Sequence, residues 1–186
     1  MRDDGVVCRT WFRLGDSRRI ELSLHVGCLL TLVVVTWLLA AGLLPHLFPG
    51  WQPGLYWLVA CSVTLLDCLA ALAHELGHAA AAVARGRRVY GITFYGLVAS
   101  ARRAPGPTRP RDQFAIALAG PLSHLVLACV LLCAWRLLPI ENEPLRVAMG
   151  FPAMSNMLAG VLNLLPISPL DGGRVARAVV AGVFRI

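Results

Sequence analysis

Long uncharged runs alternate along this chain with short intervals in which the arginines collect. Residues 22–44 carry no formal charge and exceed the roughly 20 residues a spanning helix needs, so they predict a first transmembrane span. The stretch before them, 1–21, sets Arg2, Arg9, Arg13, Arg18 and Arg19 against Asp3, Asp4, Asp16 and Glu21, and its Gly5 and Gly15 argue against one continuous helix. It reads as a cytosolic, interfacial leader. The connection 45–53 holds three prolines and Trp51 and no charge, as suits a short external turn anchored by an aromatic. Residues 55–84 form a second span of 30 residues that would reach about 45 Å as a straight helix, so it must tilt or protrude. Arg85-Gly86 ends it, glycine being well suited to the position after a helix. The segment 89–100 is aromatic, β-branched and interrupted by Gly91 and Gly96, which predicts a β-hairpin or small sheet. Exposed strand edges are forbidden in hydrocarbon, so it must pack on protein or line a wet cavity. Such an edge suits either a structural loop or the addition of an extended substrate strand. After a proline-rich basic loop at 102–112, spans at 114–135 and 147–165 follow, and a broken segment occupies 166–186. The expected fold class is an all-α polytopic membrane protein of about four spans, with a small membrane-embedded β-hairpin or sheet after the second. In domain terms, a leader at 1–21 precedes a transmembrane core at 22–186.

Composition agrees with the pattern. Of the 186 residues 58% are hydrophobic and 15% charged, and the mean hydropathy of +0.68 excludes a soluble domain. The net charge of +7 is carried by arginine alone. The arginines crowd the leader and 85–112, whereas the first and third connections hold one between them, so both termini are expected in the cytosol of a multi-pass protein of the cell membrane. Arginine clusters of this kind suit topology and lipid headgroups, and without a basic face interleaved with aromatics no nucleic-acid partner is expected. The polar first twenty residues offer no signal peptide. The six cysteines form no C-x-x-C pair and should pack as small hydrophobes.

Chemistry enters where ionisable groups interrupt the second span, at His74-Glu75-Leu-Gly-His78. Charge at that depth marks a functional site. His74 and His78 stand four apart on one helical face and can bind one Zn²⁺, with Glu75 placed to deprotonate a water. Counted from Arg85, His74 lies about 16 Å inside the cytosolic rim, within the bilayer but nearer that side. Asp67 shares the face of His74 but stands about 10 Å along the axis, which suits a polar group in a wet funnel or a helix partner. His124, beyond Ala119-Gly120-Pro121, reads as a satisfied core histidine, with a partner to the site or an alternative ligand as the other readings. A carboxylate that completes the metal set comes from Pro166-Ile-Ser-Pro169-Leu-Asp171-Gly-Gly, where prolines and glycines break the helix and present Asp171. The break must turn Asp171 toward the two histidines, and the sequence does not show how.

In these residues the chain resembles the site-2 protease family of intramembrane zinc metalloproteases. The resemblance rests on His74-Glu75-Leu-Gly-His78, on Asn163-Leu-Leu-Pro166-Ile-Ser-Pro169-Leu170-Asp171-Gly172 and on Ala119-Gly120-Pro121, and it runs from about Ser17 onward. It implies His74, His78 and Asp171 as ligands of one Zn²⁺ per chain, Glu75 as general base, and Asn163 as a substrate-orienting or oxyanion-stabilising group. The implied activity is hydrolysis of a peptide bond in a membrane-embedded substrate, such as a membrane-bound transcription regulator cut in regulated intramembrane proteolysis. Lipid and a second copy of the chain are the other expected partners. Neither a PDZ insertion between spans nor a CBS domain after them is expected in this chain. Four spans against the six of compact bacterial members predict a catalytic-core fragment or a truncated product. A membrane metal carrier or sensor, or an inactive protease-like scaffold, would use the same residues differently.

Overall fold

The longest apolar run becomes the longest helix. In the computed structural model, which describes residues 6–12, 20–104, 109–137, 139 and 141–184, α3 runs unbroken over Pro53–Ala84. Before it come α1 (Gly27–Leu38), a π turn (Leu39–Leu43) and α2 (Leu44–Leu47), which continue one another as a single apolar rod. Pro45 has no N–H to give the carbonyl four residues back, and the wider π turn sits where that bond is lost. After α3 come α4 (Pro110–Leu137), α5 (Glu143–Asn163) and α6 (Asp171–Phe184). The α1–α2 rod, α3, α4 and α5 are long and apolar enough to cross a membrane, which makes this a multi-pass membrane protein. Large apolar side chains such as Leu30, Val33, Leu58, Val126 and Met154 face outward from them, as lipid contact requires.

The leader holds pairing that its charge pattern does not announce: β1 (Val6–Phe12) and β2 (Ile20–His25) are strands paired antiparallel. The first helix therefore starts at Gly27 and not at residue 22, because Leu22 and Leu24 continue a strand register. An apolar run shows burial or lipid contact but not whether its first turns pair with another strand. The expected hairpin is real but is half of a larger sheet. β3 (Val89–Phe94) and β4 (Ala99–Arg103) pair antiparallel, and β3 lies parallel to β2, in the order β1-β2-β3-β4. The other helices begin two to four residues earlier than charge patterning suggests, each with a proline in its first turn or at its first position.

The sheet is anchored to the helices that matter for chemistry. Ile20, Val89 and Ile92 pack with Ala79 and Ala82 of α3 and Ile116 of α4. Small residues let α3 and α4 approach closely: a Cβ on Gly77 would stand 2.9 Å from the Ala119 carbonyl. The end of α3 is closed as its sequence predicts. Gly86 sits at φ +69 while its N–H and that of Arg87 donate to the Val83 and Ala82 carbonyls, a Schellman cap. Arg85 then pairs with Asp112 of α4 at 2.7 Å. At the opposite end, Trp51 stacks on Phe48 and Tyr56 and donates its indole N–H to Glu143 at 2.9 Å, so the aromatic turn ties α3 to the start of α5.

Candidate metal centre

Three side chains from two helices close on one point. His74 and His78 come from one face of α3, and Asp171 is the first residue of α6. His78 Nε2 stands 2.9 Å from Asp171 Oδ2 and 3.1 Å from His74 Nε2, and His74 Nε2 is 3.1 Å from the same carboxylate oxygen. His78 and Asp171 are buried. The sequence alone did not show how the break brings Asp171 round, and the structure does. Residues 164–170 turn back on the end of α5, and α6 restarts so close to it that a Cβ on Gly172 would fall on the Leu164 and Leu165 carbonyls. Only a residue without a side chain lets the first turn of α6 lie there. Its N-terminal position favours the Asp171 carboxylate, and Arg174, one turn on, donates to Oδ1 at 3.0 Å while Oδ2 faces the histidines.

The donor set fits a zinc ion. His78 Nδ1 donates to the Ile116 carbonyl at 2.6 Å, which leaves Nε2 of the neutral ring as a lone pair aimed at a carboxylate oxygen. Two acceptors face each other there, the situation a cation resolves. Tetrahedral ligands at zinc bond lengths stand about 3.3 Å apart, so the three atoms need to part by only a few tenths of an ångström to hold one. Gly120 of α4 makes the remaining room. A Cβ at that position would fall on the His78 imidazole and 2.6 Å from His74 Nε2.

Glu75 is buried between the two histidines along α3, and its Oε1 accepts the Ala101 N–H of β4 at 2.9 Å. That N–H points away from β3, so the outer edge of β4 faces the Glu75 carboxylate. Asn163 ends α5, with its amide nitrogen donating to the Ala159 carbonyl at 3.0 Å. It is the one predicted site residue whose side-chain hydrogen bond stays within its own helix. Gly120 is legible in the sequence only as a small residue for helix contact, and Arg174 does not stand out there as a site residue. The i,i+3 spacing of Asp171 and Arg174 at a helix start was the available signal. Asn156, which bonds both Asp67 and His124, carries no local sequence signal.

Comparison with known proteins bears on this geometry. The family model described as Peptidase family M50 matches residues 139–186, which include Asn163 and Asp171. Rip3 of Mycobacterium tuberculosis, assigned by name to the zinc metalloproteases, is 34% identical over 170 residues, 89% of this chain and 42% of Rip3. By these matches the chain is similar to zinc metalloproteases of the site-2 protease type. Stage IV sporulation protein FB of Bacillus subtilis is 37% identical over 110 residues, 58% of this chain and 36% of that protein. The fold is shared with the solved site-2 protease of Methanocaldococcus jannaschii, at a TM-score of 0.58 and 24% identity over 94% of this chain and 73% of that one. The chain spans less than half the length of the curated relatives it matches.

Proposed function

We propose that this protein is a zinc-dependent intramembrane endopeptidase of the site-2 protease type. The observation that carries the proposal is the convergence of His74 Nε2, His78 Nε2 and Asp171 Oδ2 within 3.1 Å of one another beside a buried Glu75. The three side chains would hold one Zn²⁺ per chain. When bound, that ion supplies Lewis acidity toward a water and toward the scissile carbonyl. Glu75 takes a proton from the attacking water and passes it to the leaving amine, and the Ala101 N–H on its Oε1 keeps the carboxylate turned toward the outer edge of β4. An extended substrate segment laid along that edge would bring its backbone beside Glu75, and strand addition is the binding mode the geometry supports. Asn163 would orient the substrate backbone or an oxyanion once its amide leaves the Ala159 carbonyl. Gly120 keeps the face opposite α3 clear of side-chain atoms.

The substrate would be a membrane-embedded protein, and a membrane-bound transcription regulator cut in regulated intramembrane proteolysis is the class the family resemblance suggests. Arginines at 85–112 and in the leader support cytosolic termini and a site nearer the cytosolic side of the bilayer. The test measures bound zinc and cleavage of a model transmembrane substrate in the wild type, Glu75→Gln and Asp171→Ala. Glu75→Gln should retain zinc and lose about a hundredfold to ten-thousandfold in rate, as loss of a general base does. Asp171→Ala should lose zinc and cleavage together. Full cleavage by a zinc-loaded Glu75→Gln protein would remove Glu75 from the chemistry, and zinc transport without cleavage would make the protein a metal carrier.

A further inference from the structure

Asp67 and His124, polar groups set deep among apolar helices, belong to one hydrogen-bonded line across α3, α5 and α4. Asp67 accepts at Oδ1 from Ser155 Oγ at 2.7 Å and from Asn156 Nδ2 at 3.0 Å. Asn156 Nδ2 also donates to the Pro152 carbonyl at 2.8 Å, so two acceptors fix which end of the amide points which way. Its Oδ1 therefore faces His124 Nδ1, at 2.6 Å. An amide oxygen can only accept, so Nδ1 of His124 carries the proton and Nε2 of the neutral ring is left an acceptor. The His124 ring lies against that of His74, with centroids 4.9 Å apart and planes at 48°. On His74, Nδ1 is buried with no hydrogen-bond partner.

The inference rests on the metal reading above. With Nε2 committed to a cation, the proton of a neutral His74 sits on Nδ1. A buried N–H without an acceptor then stands beside a ring whose second nitrogen can accept it. We propose that His124 receives the Nδ1–H of His74 when the metal is bound. Asp67 would thereby anchor, through Asn156 and His124, a line of donors that orients His74 and strengthens its Nε2 as a ligand. Histidine ligands commonly pass their second N–H to a carboxylate or carbonyl, and removing that acceptor weakens metal binding by about 10–100-fold. Asp67 sits seven residues before His74 on the same helix, about 10 Å along its axis, so it cannot reach the ring directly. The Asn156 amide and the His124 imidazole fill that gap. His124, Asn156 and Asp67 are positioning residues in this scheme, since they act on the metal through His74.

The experiment titrates Zn²⁺ against a chromophoric chelator with the full chain in detergent, and records the visible absorption of the Co²⁺-loaded protein. The variants are His124→Phe, His124→Gln, Asp67→Asn and, as the reference for lost binding, His74→Ala. His124→Phe should weaken Zn²⁺ binding by about 10–100-fold and shift the Co²⁺ bands. His124→Gln, which places an amide oxygen where Nε2 stood, should recover most of the loss. Asp67→Asn should weaken binding several-fold while the metal-free protein melts as the wild type does, and it decides the matter if His124→Phe does not fold. Wild-type affinity and unshifted bands in folded His124→Phe or Asp67→Asn would overturn the inference while leaving the metal centre in place. A wild type that binds neither ion would overturn the metal centre itself.

Discussion

At the scale of single residues, Gly120 constrains the site directly. A methyl group there has no room beside the His74 and His78 rings, and the His78 ring is held by the Ile116 carbonyl. Gly120→Ala should therefore displace an imidazole and abolish stoichiometric zinc in the purified protein, whereas Gly54→Ala, with nothing within 4 Å of its Cβ, should leave zinc unchanged. Equal zinc in the two variants would show that α4 does not shape the pocket. Arg174→Ala should be milder. The Arg174 guanidinium is partly exposed and its pairing with Asp171 is screened, so a several-fold loss of zinc affinity is expected in the same titration. The sequence showed His74, Glu75 and His78 because their relation is one helical turn and needs no tertiary knowledge. Asp171 was readable through the prolines and glycines around it. Gly120 and Asn156 were not, because what they do is set by helices 32 to 89 residues away in sequence folding against them.

At the scale of elements, apolar runs marked helices well and strands poorly. Leu22 and Leu24 sit in an uncharged run that continues into α1, yet they pair with Thr10 and Cys8, and on their other side with Ile92 and Phe94. Nothing local distinguishes those positions from the start of a span. The parallel pairing of β2 with β3 joins segments about 70 residues apart, which no turn signal announces. The break between α5 and α6 is the element on which the metal set depends. Gly172 packs directly on the carbonyls that end α5, so Gly172→Val must push α6 away and carry Asp171 with it. The expected result is loss of zinc together with a melting temperature lower than that of the wild type measured in chelator. Destabilisation of about 1–3 kcal/mol is usual for forced overpacking. Retention of zinc would mean that the turn can shift without moving Asp171.

At the scale of the whole molecule, the decisive relation is between the arginines and the two ends of the helices. The basic interval at 85–112 includes the Schellman-capped end of α3 and the Arg85–Asp112 pair. The opposite ends carry the Phe48–Trp51–Tyr56 stack and Glu143, with an aromatic character suited to a membrane interface. His74 lies eleven residues before Arg85, about 16 Å along a regular helix, so orientation decides from which side water must reach the site. Because arginine is retained on the cytosolic side, the expected sign is the 85–112 end inside and the aromatic end outside. Single cysteines at Gln52, Arg88 and Glu141, introduced after the six native cysteines are replaced by alanine, test this with a membrane-impermeant maleimide on intact cells. Gln52→Cys and Glu141→Cys should label from outside, and Arg88→Cys only after permeabilisation. Labelling of Arg88→Cys in intact cells would invert the molecule. It would place the shorter water path on the outer side and remove the cytosolic face from which Glu75 is expected to draw its water.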